Sequence, residues 1–208
     1  MMLLRGGMNV SNLAQEDREK EKKKRKMMLI VLTFVFIIAA FASIGAYHNH
    51  QERIAAEQKK KVEQKYKENL SSAYDQMVAA GSMMEDIING YTEVWHAAIW
   101  NNGAMIDGQH YTDFNMALAA QMASYDTNGD LDTVEATMTS LKQTMDELKN
   151  PPAKFKDEYI VALDAYTAVK DMNTYVNPSG SYQTYSQITN EKDNELASKL
   201  NSLEVRID

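Results

Sequence analysis

Five consecutive basic residues, Lys22-Lys23-Lys24-Arg25-Lys26, run directly into Met27–Ala46, twenty residues without a charge. At about 1.5 Å rise per residue, such a helix spans about 30 Å, the hydrocarbon thickness of a bilayer. Basic residues beside a spanning helix stay on the cytoplasmic side. The chain therefore reads as a single-pass membrane protein, N-terminus cytoplasmic and C-terminus extracytoplasmic. Residues 1–26 form a short basic cytoplasmic segment, and residues 27–47 cross the lipid bilayer. A helical stalk follows over 48–72, and an extracytoplasmic bundle over 73–208.

The anchor competes with a cleaved signal peptide. Ala40-Phe41-Ala42 fits a cleavage site after Ala42, but the apolar run continues through Ala46 and exceeds the usual signal core. It is read as retained. Arg5-Gly6-Gly7 before Met8 is what a purine-rich ribosome-binding site gives when translated, which places the start at Met8. From either start, the inner segment is too short for an output domain.

Charge divides the chain. Residues 1–26 carry 8 basic and 4 acidic side chains, a net of +4. Residues 48–208 carry 14 and 25, a net of −11. An acidic outer part argues against nucleic acid as a partner. The chain has no cysteine, which excludes a lipoprotein and a disulfide framework and inclines toward a bacterial surface protein. All three prolines (Pro151, Pro152, Pro178) lie beyond residue 150, so long helices are permitted before it.

Apolar periodicity fills the outer part. Residues 51–72 are rich in Gln, Glu and Lys and read as a solvated helix, with Lys59-Lys60-Lys61 on its surface. Ala73, Met77, Ala80, Met84, Ile87, Tyr91, Trp95 and Ala98 recur at three- and four-residue spacing, one stripe of a helix. Asn101-Asn102-Gly103 ends it, and 103–110 reads as a loop. A shorter helix follows from Tyr111 to about Tyr125, with Thr112 as its N-cap and Phe114, Leu118 and Met122 as its apolar side. After a turn at Asp126–Asp130, Leu131, Val134, Met138, Leu141, Met145 and Leu148 make a coiled-coil-like heptad. Asp132 and Glu135 are spaced as a capping box there. Phe155, Tyr159, Ala162, Tyr166, Val169 and Val176 mark the next helix. Tyr185, Ile188, Leu196, Leu200 and Leu203 mark the last. No stretch alternates with period two. The expected fold is all-α: a transmembrane helix, then an antiparallel bundle of four to five helices.

Motifs for chemistry are sparse. Asp126, Asn128, Asp130 and Asp132 alternate as in a calcium loop, but Leu131 stands where the glycine belongs and Thr137 where the bidentate glutamate belongs. An Asn-Gly turn before an acidic helix start explains them better. Glu93 and His96 share a helix face, and with His110 they are the residues available for a zinc or iron site. His48-Asn49-His50 reads as interfacial polar residues beside Tyr47. There is no Gly-x-Ser-x-Gly, His-Glu-x-x-His or phosphate loop, so no catalytic residue, metal or cofactor is assigned. Among the aromatics (Trp95, Trp100, Tyr159, Tyr166, Tyr175, Tyr182, Tyr185), Trp100, Tyr175 and Tyr182 are the candidate partner-binding residues. Tyr and Trp dominate binding hot spots, and Trp100 ends a helix beside a loop.

Pro151-Pro152 with Phe155 and Tyr159, then Asn177-Pro178-Ser179-Gly180-Ser181 and Tyr185, resembles uncharacterised membrane-anchored helical proteins of Gram-positive bacteria over residues 130–205. The resemblance implies the anchored helical architecture and transfers no activity or site residue. The expected function is a non-enzymatic surface bundle that binds a protein or cell-wall partner. The alternatives are an accessory subunit of a larger membrane complex, or a metal-binding or enzymatic bundle built on Glu93, His96 and His110.

Overall fold

The computed structural model describes the backbone of residues 10–207. The chain divides into two compact units, Met1–Lys59 and Lys60–Asp208. Helix α1 (Val10–Trp100) contributes to both. In the first unit, residues 50–59 are helical and exposed. Most side chains of the basic segment and of the apolar run 27–47 lie outside the described residues, and only Met27, Met28 and Leu32 of that run have described side chains. Among the described residues, no helix is long and apolar enough to cross a membrane.

The second unit holds the core. Beyond α1 it contains strands β1 (Ala104–Ile106) and β2 (Gln109–Tyr111), then α2 (Phe114–Asn128), α3 (Asp130–Glu147), a 3₁₀ turn at Ala153–Phe155, α4 (Lys156–Asn173) and α5 (Tyr182–Ile207). Contacts along α1 set the directions. Tyr66 Oη donates to the Leu148 carbonyl at 3.0 Å, Gln76 pairs with Thr144, and Thr137 meets Met83, so α3 runs antiparallel to α1. Trp95 touches Tyr185 while a Gly81 Cβ would meet Leu196 at 3.0 Å, so α5 is antiparallel too. Lys192 pairs with Asp171 and Lys199 with Asp164, which makes α4 antiparallel to α5. The second unit is an antiparallel helical bundle of α1, α3, α4 and α5, with α2 across one end.

Periodicity explains the core. The whole stripe from Ala73 to Ala98 is buried, as are Val134, Leu141, Met145 and Leu148 of the heptad, with Leu131 and Met138 partly buried. Ala162 and Val169 on α4 and Tyr185, Leu196 and Leu203 on α5 close it. Full burial of one such large side chain is worth about 1.5–3 kcal/mol, which makes this interior the main source of stability.

The structure corrects several local expectations. The core begins at Tyr66 and Leu70, inside the stretch read as stalk. Tyr66 packs on Phe155 (5.2 Å between ring centroids) and spends its hydroxyl on Leu148. Residues 103–110 are no simple loop, because 104–111 pair as a hairpin in the register Ala104↔Tyr111, Met105↔His110, Ile106↔Gln109. Asp107 and Gly108 both have positive φ (48° and 79°), the two-residue turn that matches strand twist. The N-cap of α2 is Asp113, not Thr112; its carboxylate accepts from the Met116 amide at 2.9 Å. That helix buries Ala117, while Phe114 and Met122 stay exposed. The turn before α3 shrinks to Gly129, which is C-cap of α2 and N-cap of α3 at φ 78°. Asp132 and Glu135 make no capping box, since both already lie within α3.

Candidate functional site

The site is the end of the bundle where α1 stops. Asn101 N and Gly103 N both donate to the Ala97 carbonyl (2.9 and 3.1 Å), and Asn102 takes a left-handed φ of 61°. Gly103 at φ 122° has no room for a side chain: a Cβ would overlap His110 and lie 2.9 Å from the Tyr111 carbonyl. The chain thus folds back tightly into the hairpin. Behind it Ala98, Ala104, Ile106 and Ala117 form a small second core that seats the hairpin and α2 against α1.

Aromatic rings gather at this end. Trp95, buried on α1, stacks on Phe114 (6.2 Å, 13° between planes) and meets Tyr182 edge-on at 6.1 Å. Trp100 meets Tyr182 edge-on at 4.9 Å and His96 at 4.9 Å. The end of α1, the hairpin and the start of α2 also leave apolar side chains in solvent: Ile99 (42% exposed), Trp100 (54%), Met105 (64%), Phe114 (39%) and Met116 (60%). Isolated apolar residues on a surface are ordinary, whereas a group on adjoining elements marks an interaction site.

The structure brings Trp100 and Tyr182 together. It sets Tyr175 elsewhere in role: partly buried beyond α4, with its carbonyl accepting from Tyr185 Oη at 2.7 Å. Sequence reasoning missed Met105, Phe114 and Met116. The Asp107-Gly108 pair was the available signal, because a hairpin there turns Met105 outward between two inward neighbours.

The interior behind the patch is rich in tyrosine. Burial pushes Tyr91 up to about 12, and also raises Tyr125 and Tyr185. Tyr91 meets Tyr125 edge-on at 5.3 Å, yet its hydroxyl is buried without a hydrogen-bond partner. Phenols held neutral in this way pack and do not act as acids near neutral pH.

The other expected chemistry does not assemble. Asp126 and Asn128 end α2 while Asp130 and Asp132 begin α3, so the alternating residues belong to two helices and form no loop. Glu93 and His96 are exposed on α1, His110 is exposed on β2, and no group of three His, Asp or Glu among the described residues is placed to hold a metal. A shallow groove of about 570 Å³ runs between α3 and α4, with Leu131, Val134 and Met138 on one wall and Tyr166, Lys170 and Val176 on the other. A crevice of about 350 Å³ lies beside Asp86, Tyr125 and Asp130.

No protein-family model, curated protein or solved structure matches this chain.

Charge along the sequence is one-sided. From Glu68 to Leu141 the chain has 11 carboxylates and no lysine or arginine, a net of −11. From Lys142 to Asp208 it has 11 carboxylates and 8 bases, a net of −3. The segment that builds the C-terminal part of α1, the hairpin, α2 and the first part of α3 therefore has no lysine or arginine to offset its carboxylates.

Proposed function

We propose that this chain is a membrane-anchored, non-enzymatic helical bundle, extracytoplasmic beyond residue 47, that docks a protein or cell-envelope partner on the Trp100 end. The exposed Ile99, Trp100, Met105, Phe114 and Met116, on consecutive elements at this end, carry the reading. Aromatic and methionine side chains in that density serve binding surfaces and cost a folded chain solubility when unused. The basic run before an uncharged twenty-residue segment supports the anchor. Tethering raises the local concentration of the patch at the surface, so modest affinity suffices.

The test is crosslinking in intact cells with purification through a tag after Asp208, comparing wild type with Trp100→Ala. A partner recovered from wild type and lost from the variant supports docking. An unchanged profile, or none from either, removes the reading. Recovery of a multi-pass membrane protein makes the chain an accessory subunit of that complex.

A further inference from the structure

We infer that the occupant of the Trp100 patch is a basic amphipathic segment of a partner protein, with Lys or Arg side chains flanking apolar anchors. The inference rests on the docking reading above and names the chemistry that the docked surface accepts.

Three observations converge. The first is apolar: Trp100, Met105, Phe114 and Met116 give a partner both a fixed aromatic platform and adaptable thioethers. The second is charge. Residues 68 to 141 hold 11 carboxylates and no lysine or arginine, with Glu93 on α1, Asp107 at the hairpin turn and Asp113 beside Phe114 among them. Carboxylates around an apolar face raise the local concentration of cations and steer their approach.

The third concerns the rings. Elsewhere in the bundle the chain's own cations lie over its aromatic faces: Lys154 is 5.2 Å from the Phe155 centroid and Lys170 is 5.6 Å from that of Tyr166. Trp100 and Phe114, both partly exposed, belong to a segment with no lysine or arginine to do this. A ring face left open in a field of carboxylates suits a cation supplied by the partner. An anionic wall polymer would be repelled by the carboxylates. A second copy of this chain would bring like charge against like.

The experiment uses the full chain in nanodiscs of zwitterionic lipid, with empty nanodiscs as blank. Three labelled peptides of equal length are titrated by fluorescence anisotropy. One is cationic and amphipathic, one has its lysines replaced by glutamate, and one keeps its lysines but has serine for its apolar residues. The first peptide is expected to bind at least about tenfold more tightly than either of the others. Trp100→Ala should weaken it about tenfold or more, with helical circular dichroism unchanged. Glu93→Gln with Asp107→Asn should weaken it several-fold and reduce its salt dependence. Binding should also fall as salt rises from about 0.01 M to about 0.15 M, where screening shortens from about 30 Å to about 8 Å.

Equal binding of the cationic and acidic peptides, or indifference to Trp100→Ala, overturns the inference. So does a Trp100-dependent dimer in sedimentation, or Trp100-dependent retention on isolated wall polymer without peptide binding. A Trp100-dependent crosslink in cells combined with no peptide preference leaves docking standing and removes only the cationic partner. Loss of both removes both.

Discussion

Gly90→Ala should destabilise the bundle, although alanine in place of glycine inside a helix ordinarily stabilises by about 1 kcal/mol. A methyl at Gly90 would overlap the Tyr125 hydroxyl and lie 3.1 Å from its Cζ. Tyr125 is a rigid ring, so it must withdraw as a whole. Withdrawal breaks its edge-on contact with Tyr91, worth about 0.5–1.5 kcal/mol, and its long hydrogen bond to the Ile87 carbonyl (3.5 Å), worth about 0.5 kcal/mol. It also re-exposes part of a ring whose full burial is worth about 1.5–3 kcal/mol. Against the helix gain of about 1 kcal/mol, the net loss is about 1–2 kcal/mol. In a Tyr125→Phe background the overlapping oxygen is gone and the remaining contact asks for a shift of a few tenths of an ångström, so the same Gly90→Ala change should lie within about 0.5 kcal/mol of neutral. Urea unfolding of residues 60–208, the compact unit with the main core, measures all four corners of the cycle at a common m-value. Stabilisation by about 1 kcal/mol in both backgrounds would falsify the packing of α2 on α1 through Tyr125, and with it the placement of Phe114 beside Trp95.

Other changes test other joints. Tyr91→Phe removes a buried hydroxyl that has no partner, so stability should hold or rise by up to about 1 kcal/mol in the same urea assay; a loss beyond that means the hydroxyl is bonded. Gly129→Ala forces a left-handed φ of 78° on a residue with a Cβ and should cost about 1 kcal/mol, with Gly129→Asn costing less; equal stability of all three would contradict the shared cap. Burial holds Tyr66 and Tyr91 up to about 12 against an ordinary 10, with Tyr159 and Glu158 adding to the rise at Tyr66. The unfolded chain therefore sheds these protons first, so the stability they confer is whole below pH 10 and disappears between pH 10 and about 12. Circular dichroism and tyrosinate absorbance should change together across that window. Ionisation of these tyrosines near pH 10 with the fold intact would refute their burial.

The bundle was legible wherever large apolar residues repeat at helical spacing. The α1 stripe and the α3 heptad are buried as their periods require. What escaped were elements whose signal is brief or small. Tyr66 and Leu70 are two apolar residues in a long polar stretch, and nothing local distinguishes them from an exposed pair. On α2, bulk pointed to Phe114, Leu118 and Met122, but close packing on α1 rewards the smallest residue, so Ala117 faces in and Phe114 and Met122 face out. The hairpin depends on two residues, Asp107 and Gly108, between strands of three. The exposed apolar residues shared that fate: Trp100 and Tyr182 stood out as aromatics, while Met105 and Met116 were seen to be exposed only once the chain had folded back.

Tyr66 and Trp100 stand at opposite ends of the packed length of one helix, and this has a mechanical meaning. Tension applied between the chain's entry at Lys60 and a load seated on Trp100 travels along α1 alone. Helices α3, α4 and α5 lie outside that line and take load only through their contacts with α1. They act as a splint, since stretching α1 would first require Met77, Met84 and Tyr91 to shear out of their sockets. Such a bundle resists extension between those two points far better than it resists a pull on its C-terminus, where α5 can peel away one turn at a time.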